Sequence, residues 1–394
     1  MPSFFLSFPD FNLYSTPLLI LVFQGLVFVA LLLARYFKKK NISDLFLGLI
    51  LLIICYEQTC YTVGFMGWYN VFRNTKINYF LIPMGVAIAP LIYFYVKAIT
   101  TSNFTFRKKD WLHFVLAFSL ILFRLTIYFY DSLQTGFDDT QNGILKLSVD
   151  EPIISPLWVF VSFAQMLLYL AFTFQLFYNY RKRIREYFSN TYKLELNWIL
   201  SFLIAFTLLF LYSSLQDIVG SLIIELNYKQ RWWLNIFMAL VVLFVGVKGY
   251  FTDTTKLNKL SFSFSPNPES IPQQKNNSSE FLKSDLERVS TFMNTEKPYL
   301  NPDLNLSDLS KSLDLTRAEL SKIINTGFGK NFNDFINEYR VNTFKAKLKS
   351  GEHQQLSLLG IAYDCGFNSK ATFNRVFKKI TQSSPTEFLN TLKS

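Results

Sequence analysis

The sequence predicts an all-α fold in two parts: a seven-helix transmembrane bundle, then a cytoplasmic all-helical domain with two helix-turn-helix units. Three observations carry this prediction. Of 394 residues, 51% are hydrophobic and 18% aromatic, with 43 Phe, and only 17% are charged. That is the composition of a chain with membrane spans rather than of an ordinary globular protein. The apolar residues gather into seven stretches of about 20 residues, the length that crosses a bilayer. After residue 280 these runs give way to short amphipathic segments set off by capping residues and glycine turns.

Taken in order, the expected spans are Thr16–Phe37, Asp44–Met66, Tyr79–Ile99, Trp111–Tyr130, Pro156–Tyr178, Leu196–Gln216 and Trp232–Phe251. The N-terminus has no basic n-region, so a cleaved signal peptide is not expected. The loops after spans 1, 3 and 5 hold thirteen Lys/Arg: Arg35, Lys38, Lys39, Lys40; Lys97, Arg107, Lys108, Lys109; Arg181, Lys182, Arg183, Arg185, Lys193. The alternate loops hold five, Arg73, Lys76, Lys146, Lys229 and Arg231, and the one after span 4 is acidic, with Asp138, Asp139, Asp150 and Glu151. Basic loops stay on the cytoplasmic side. The expected location is therefore the cytoplasmic membrane, multi-pass, with the N-terminus outside and the C-terminal domain in the cytoplasm.

Within the spans, Glu57 and Arg124 lie at similar depth, and an unpaired charge there costs about 2.5–3.5 kcal/mol on insertion scales. They are expected to form a membrane polar pair, either a structural brace or the wall of an outward-facing signal pocket. Gln24, Gln58, Gln165 and Gln175 read as helix–helix hydrogen bonds. All six Trp fall at proposed span ends, as an aromatic belt. Three cysteines, Cys55, Cys60 and Cys365, make no disulfide framework, and two histidines without Cys or His pairing predict no metal and no cofactor.

Residues 1–255 thus read as a membrane domain, a candidate sensor. Residues 256–280, rich in Ser, Pro, Asn and Gln, cannot bury a core and read as a flexible linker. Residues 281–394 carry 16 Lys/Arg against 12 Asp/Glu, a net of +4, so not all of the chain's net charge of +11 belongs to this domain. Leu282, Leu286, Val289 and Phe292 mark its opening helix. Leu306 to Leu313 is the first helix of unit one, and Thr316 with Glu319 forms a capping box that starts the next. Asn331 to about Lys349 makes a helix of roughly 27 Å, a length that permits, without itself implying, two units on successive major-groove faces about 34 Å apart. In unit two, Asp364, Cys365 and Gly366 turn the chain, and Ser369 caps a helix from Lys370 to Lys379. Phe373 and Phe377 face inward, while Lys370, Asn374, Arg375 and Lys378 face out. Ser384, Pro385 and Glu387 start the last helix.

The run G-F-N-S-K-A-T-F-N-R-V-F-K-K, followed by S-P-T-E-F, resembles the signature of AraC-type transcription regulators. The resemblance covers roughly Phe281 to Ser394, and the layout is similar to membrane-bound members of that family. It implies two helix-turn-helix units on double-stranded DNA. Base contacts are implied on Arg317, Ser321 and Lys322 in unit one, and on Lys370, Asn374 and Arg375 in unit two. Lys378 and Lys379 are expected to hold phosphate. Gln382 departs from the family pattern, where many members have Gly.

The expected function is a membrane-anchored, sequence-specific DNA-binding transcription regulator, not an enzyme, that couples a signal at the membrane domain to promoter binding. Its expected partners are DNA, the lipid bilayer, an unknown signal ligand, RNA polymerase and a second copy of the chain. A membrane enzyme or transporter with an attached regulatory tail stands as the alternative. It has no nucleophile elbow, phosphate loop or HExxH-like motif in its favour. A passive anchor with proteolytic release in the linker is a third reading.

Overall fold

The computed structural model describes residues 9–68, 82, 84–101, 104–134, 143–191, 194–223, 226–227, 229–252 and 280–393. The expected linker lies outside the described residues except for Glu280, as do Arg73, Lys76, Asp138, Asp139 and Lys193. The chain divides into two compact units. One comprises Met1–Phe177 with Asn197–Phe264, the other Tyr178–Leu196 with Ser265–Ser394.

The first unit holds α1 (Ser15–Lys39), α2 (Ile42–Phe65), α3 (Ile88–Thr100), α4 (Val115–Ser132), the start of α5 (Ser155–Tyr187), α6 (Asn197–Leu222) and α7 (Trp232–Phe251). Among the described residues, six helical stretches are long and apolar enough to cross a membrane. They match six of the seven expected spans. The expected third span appears as the shorter apolar stretch Gly85–Thr100, and its first residues lie outside the described ones. Lys40, in the left-handed region at φ 55°, ends α1, and the Asn41 side chain accepts from the Ser43 amide to start α2. Arg35 then forks onto Asp44 at 2.8 and 2.6 Å and donates to the Gly249 and Tyr250 carbonyls, tying α1, α2 and α7 together. Close approach needs small residues: a Cβ at Gly249 would stand 2.2 Å from Leu47 Cδ2.

The expected Glu57–Arg124 pair is corrected. Arg124 instead lies 2.7 Å from the Asp150 carboxylate and donates to Ser155 Oγ at 3.0 Å. Glu57 accepts from the Met84 and Gly85 backbone. Equal depth on two helices does not bring two side chains together. Asp150, expected in a loop, is carried back by the π-helical turns Lys146–Ile154 and is buried, so it supplies the countercharge.

In the second unit follow α8 (Glu280–Thr295), α9 (Leu306–Ser312), α10 (Arg317–Lys322), α11 (Phe332–Lys349), α12 (Leu358–Asp364), α13 (Lys370–Thr381) and α14 (Pro385–Lys393). Two hydrophobic cores organise them. Val289 and Met293 of α8, Leu309 of α9, Leu320 of α10 and Phe332, Phe335 and Ile336 of α11 fill the first. Val341, Phe344 and Leu348 of α11 join Ile361 of α12 and Phe373, Val376 and Phe377 of α13 in the second. One helix therefore serves both cores. Burying side chains of this size contributes about 1.5–3 kcal/mol each, so neither core forms without its half of α11.

Candidate nucleic-acid interface

Each outward-facing helix is started by a cap written in the sequence. Thr316 Oγ1 accepts from the Glu319 amide at 3.2 Å, and Glu319 accepts from the Thr316 amide at 2.8 Å, completing the capping box of α10. Hydrogen bonds from Thr316 hold the Glu319 carboxyl below the usual carboxylate range. A π-helical turn, Ile323–Gly327, continues α10. In unit two, Ser369 Oγ accepts from the Thr372 amide at 3.2 Å and opens α13. Before it, Gly366 turns at φ 90°, a conformation that favours glycine. Asp364 here ends α12 rather than belonging wholly to the turn. Burial pushes the Cys365 thiol up to about 12, so it remains a neutral packing group. The αL C-cap of α13 is Gln382, at φ 62°, a conformation that favours glycine.

The predicted contact residues divide as follows. Arg317 and Lys322 are exposed on α10, and Ser321, half-buried, accepts from Asn325 Nδ2 at 3.2 Å. Lys370, Asn374, Arg375, Lys378 and Lys379 are all exposed on α13, opposite buried Phe373 and Phe377. This is a polar, basic face of the kind that meets base edges and phosphates. Two of its cations are engaged. Lys379 Nζ lies 2.6 Å from Asp334, on the first turn of α11, and Arg375 Nη1 lies 2.7 Å from Glu195.

Glu195 belongs to a segment whose sequence shows only a basic loop. Residues Tyr178–Leu196, the end of α5 and the turn after it, fold as part of this unit. Phe188 makes an isolated antiparallel bridge with Asn305. Ser189 is fully buried, and its Oγ donates to the Leu304 carbonyl at 2.6 Å. Its own carbonyl accepts from Asn333 at 2.8 Å and Asn337 at 3.3 Å. Arg340 Nη2 reaches Ser189 Oγ at 3.1 Å and the Asn301 carbonyl at 2.8 Å, while Nε reaches the Tyr299 carbonyl at 2.7 Å. Asn333, Asn337 and Arg340 fall at i, i+4 and i+7, one polar stripe of α11. Burial pulls the Arg340 guanidinium down to about 10, against the Asp303 charge, so it is still a cation at neutral pH. A cleft of about 540 Å³ opens beside this segment, lined by Arg181, Lys182, Arg185, Asn325 and Asn331 among others.

Glu195 is held by more than Arg375. Its side chain is 1% exposed, accepts from Thr191 Oγ1 at 2.9 Å, and lies 3.5 Å from Arg181 and 3.8 Å from Arg185. Burial alone would raise the Glu195 carboxyl, but Arg375, Thr191 and Arg181 together outweigh it and hold it below its ordinary value. The only sign of this in the sequence is an acid among the basic residues of one loop.

Residues 309–391 match the family model described as a helix-turn-helix domain. A regulator of Pseudoalteromonas carrageenovora, named as an uncharacterised HTH-type transcriptional regulator, is 30% identical over 137 residues, covering 33% of this chain and 79% of that protein. A Staphylococcus aureus protein with the same kind of name is 28% identical over 118 residues. The match takes in 30% of this chain but only 15% of the staphylococcal protein's length. No solved structure matches. With the double helix-turn-helix architecture and these similarities together, the chain belongs to the AraC-type helix-turn-helix transcriptional regulators.

Proposed function

We propose that this protein is a membrane-anchored transcription regulator that binds specific promoter sequences through α10 and α13 and answers a signal received by its apolar helices. The observation that carries the reading is α13 itself. Its inner side fills a core with Phe373 and Phe377, and its outer side offers Lys370, Asn374, Arg375 and Lys378. Asn and Arg side chains can bond two base-edge atoms at once, and lysines supply the salt-dependent attraction to phosphate. On α10, Arg317, Ser321 and Lys322 take the corresponding positions. The six long apolar helices support a membrane anchor. The lysine and arginine bias of the odd-numbered loops supports an N-terminus outside and a DNA-binding unit in the cytoplasm, where promoters and RNA polymerase are. A second copy of the chain would raise avidity on paired sites.

Genome-wide mapping of DNA bound by the full-length protein in cells, beside an Arg375→Ala, Lys322→Ala double variant, tests this. Discrete sites present with the wild type and lost with the variant are the expected result. An absence of discrete sites under every growth condition would overturn the reading.

A further inference from the structure

We propose that the segment Tyr178–Leu196 is a built-in mask of the DNA-reading face, with Glu195 holding the Arg375 guanidinium while the segment is docked. The inference rests on the reading of Arg375 as a DNA-contacting residue. Arg375 Nη1 lies 2.7 Å from a Glu195 carboxylate oxygen. A guanidinium recognises guanine or phosphate through the same fork of N–H donors that it gives to a carboxylate. While Nη1 is bonded to Glu195, that donor is not open to DNA and the guanidinium is turned toward the acid. A carboxylate at this place also repels the DNA backbone.

The two partners are not equally fixed. The Glu195 side chain is 1% exposed and that of Arg375 is 45% exposed, so the acid belongs to the docked segment and the arginine reaches in to it. Glu195 keeps Thr191, Arg181 and Arg185 as partners on its own segment. When Arg375 leaves, no buried charge is stranded, which is the usual obstacle to opening a buried ion pair. Tyr180 Oη donates to the Leu194 carbonyl at 2.7 Å and closes the segment on itself, so it can move as one piece.

Docking combines polar contacts, the Ser189 site on α11 and the Phe188–Asn305 bridge, with apolar packing of Tyr187 against the first core and burial of Phe188; water can replace the polar part when the segment lifts. The segment is continuous in the chain with the apolar helices α5 and α6, so a change in either is passed to it covalently. Masked and unmasked states thus give a membrane signal a place to act.

The test uses full-length protein in lipid nanodiscs and a duplex obtained by in vitro selection on that protein. Wild type, Glu195→Gln, Arg375→Ala and the double variant are compared by fluorescence anisotropy. The Glu195→Gln protein is expected to bind about tenfold tighter, the scale of one charge-assisted hydrogen bond. Arg375→Ala is expected to bind more weakly and to cancel the gain in the double variant. A Glu195→Gln protein that binds equally or more weakly, with Arg375→Ala still impaired, overturns the mask and leaves the DNA-binding reading standing. If no sequence is selected and Arg375→Ala changes nothing, both fall. A second pair, Phe188→Cys with Asn305→Cys, joins the bridged positions by a disulfide and keeps Glu195 intact. The oxidised form is expected to bind about tenfold more weakly than the reduced form, since binding scales with the unmasked fraction. Equal binding by the two forms would overturn the mask independently of how the Glu195 variant folds.

Discussion

Arg340 Nε donates to the Tyr299 carbonyl at 2.7 Å, joining the middle of α11 to the turn that precedes the first helix-turn-helix unit. The same guanidinium also satisfies Asn301 and Ser189, and it is 1% exposed. Removing it strands the buried Tyr299 carbonyl, at about 1–3 kcal/mol, and takes a donor from the Asn301 carbonyl and the Ser189 hydroxyl while leaving a void in the core. Arg340→Ala is therefore expected to cost about 3 kcal/mol or more. Arg340→Lys should recover only part of this, because an ammonium lacks the planar fork. Melting of the C-terminal unit, followed in the full-length protein, checks both. A shift of only a degree or two for Arg340→Ala would contradict the assignment.

A neighbouring position gives a sharper steric prediction. A Cβ on Gly366 would stand 2.3 Å from the Tyr299 carbonyl oxygen and 3.0 Å from that of Leu300, and the backbone there has φ 90°. Both obstacles are backbone, so neither yields by a rotamer change. Gly366→Ala should destabilise the unit by about 3 kcal/mol, combining conformational strain with a forced shift. Since Gly366 precedes α13, DNA affinity should fall as well. Unchanged unfolding and binding would show that the turn can relax.

On the proposed reading, the face of α13 should separate affinity from sequence choice. Lys378→Ala should weaken binding by a similar factor on all duplexes and lower the slope of log K against log salt by about 1. Asn374→Ala should cost about 1–3 kcal/mol on the selected site and much less on unrelated DNA. Titrations at several salt concentrations, on selected and scrambled duplexes, distinguish the two. The reverse pattern would exchange the roles of these residues.

The Glu195 carboxyl also sets a pH expectation. Its value in the folded chain lies below the ordinary 4.5. A depressed carboxylate favours the docked state fully above its ordinary value, and that contribution is lost only as pH falls through the depressed one. The difference in DNA affinity between wild type and Glu195→Gln should therefore stay constant from about pH 6 to 8, the neutral range above every ordinary carboxylate value. A difference that shrinks toward pH 6 would place the carboxyl above its ordinary value and contradict the arrangement of Arg375, Thr191 and Arg181 around it.

What could be read from the sequence was local. The Ser369 cap, the Thr316–Glu319 box and the inward pair Phe373 and Phe377 each rest on residues three or four apart, and the structure has them as expected. Even the departure at Gln382 was visible beside the family pattern, although its positive φ was not. The long-range polar contacts were not legible. Ser189 and Arg340 are 151 residues apart, and Glu195 and Arg375 are 180 apart. Single polar side chains leave no periodic trace, unlike an apolar stripe. Asp150 shows the same limit: the chain around it folds back to reach Arg124, whereas the pattern of apolar runs had made it a loop residue.

The helix shared by the two cores fixes their angular phase. At about 100° per residue, Phe332, Phe335 and Ile336 point to a side roughly 160° around from Val341, Phe344 and Leu348. One residue inserted between Tyr339 and Val341 would lengthen the helix by only about 1.5 Å but turn the second unit by about 100°. On a duplex of about 10.5 base pairs per turn, that corresponds to roughly three base pairs of misalignment. Under the proposed DNA-binding reading, small changes of helix length are therefore closed as a route to a new operator spacing, and new targets would come from substitutions on α10 and α13.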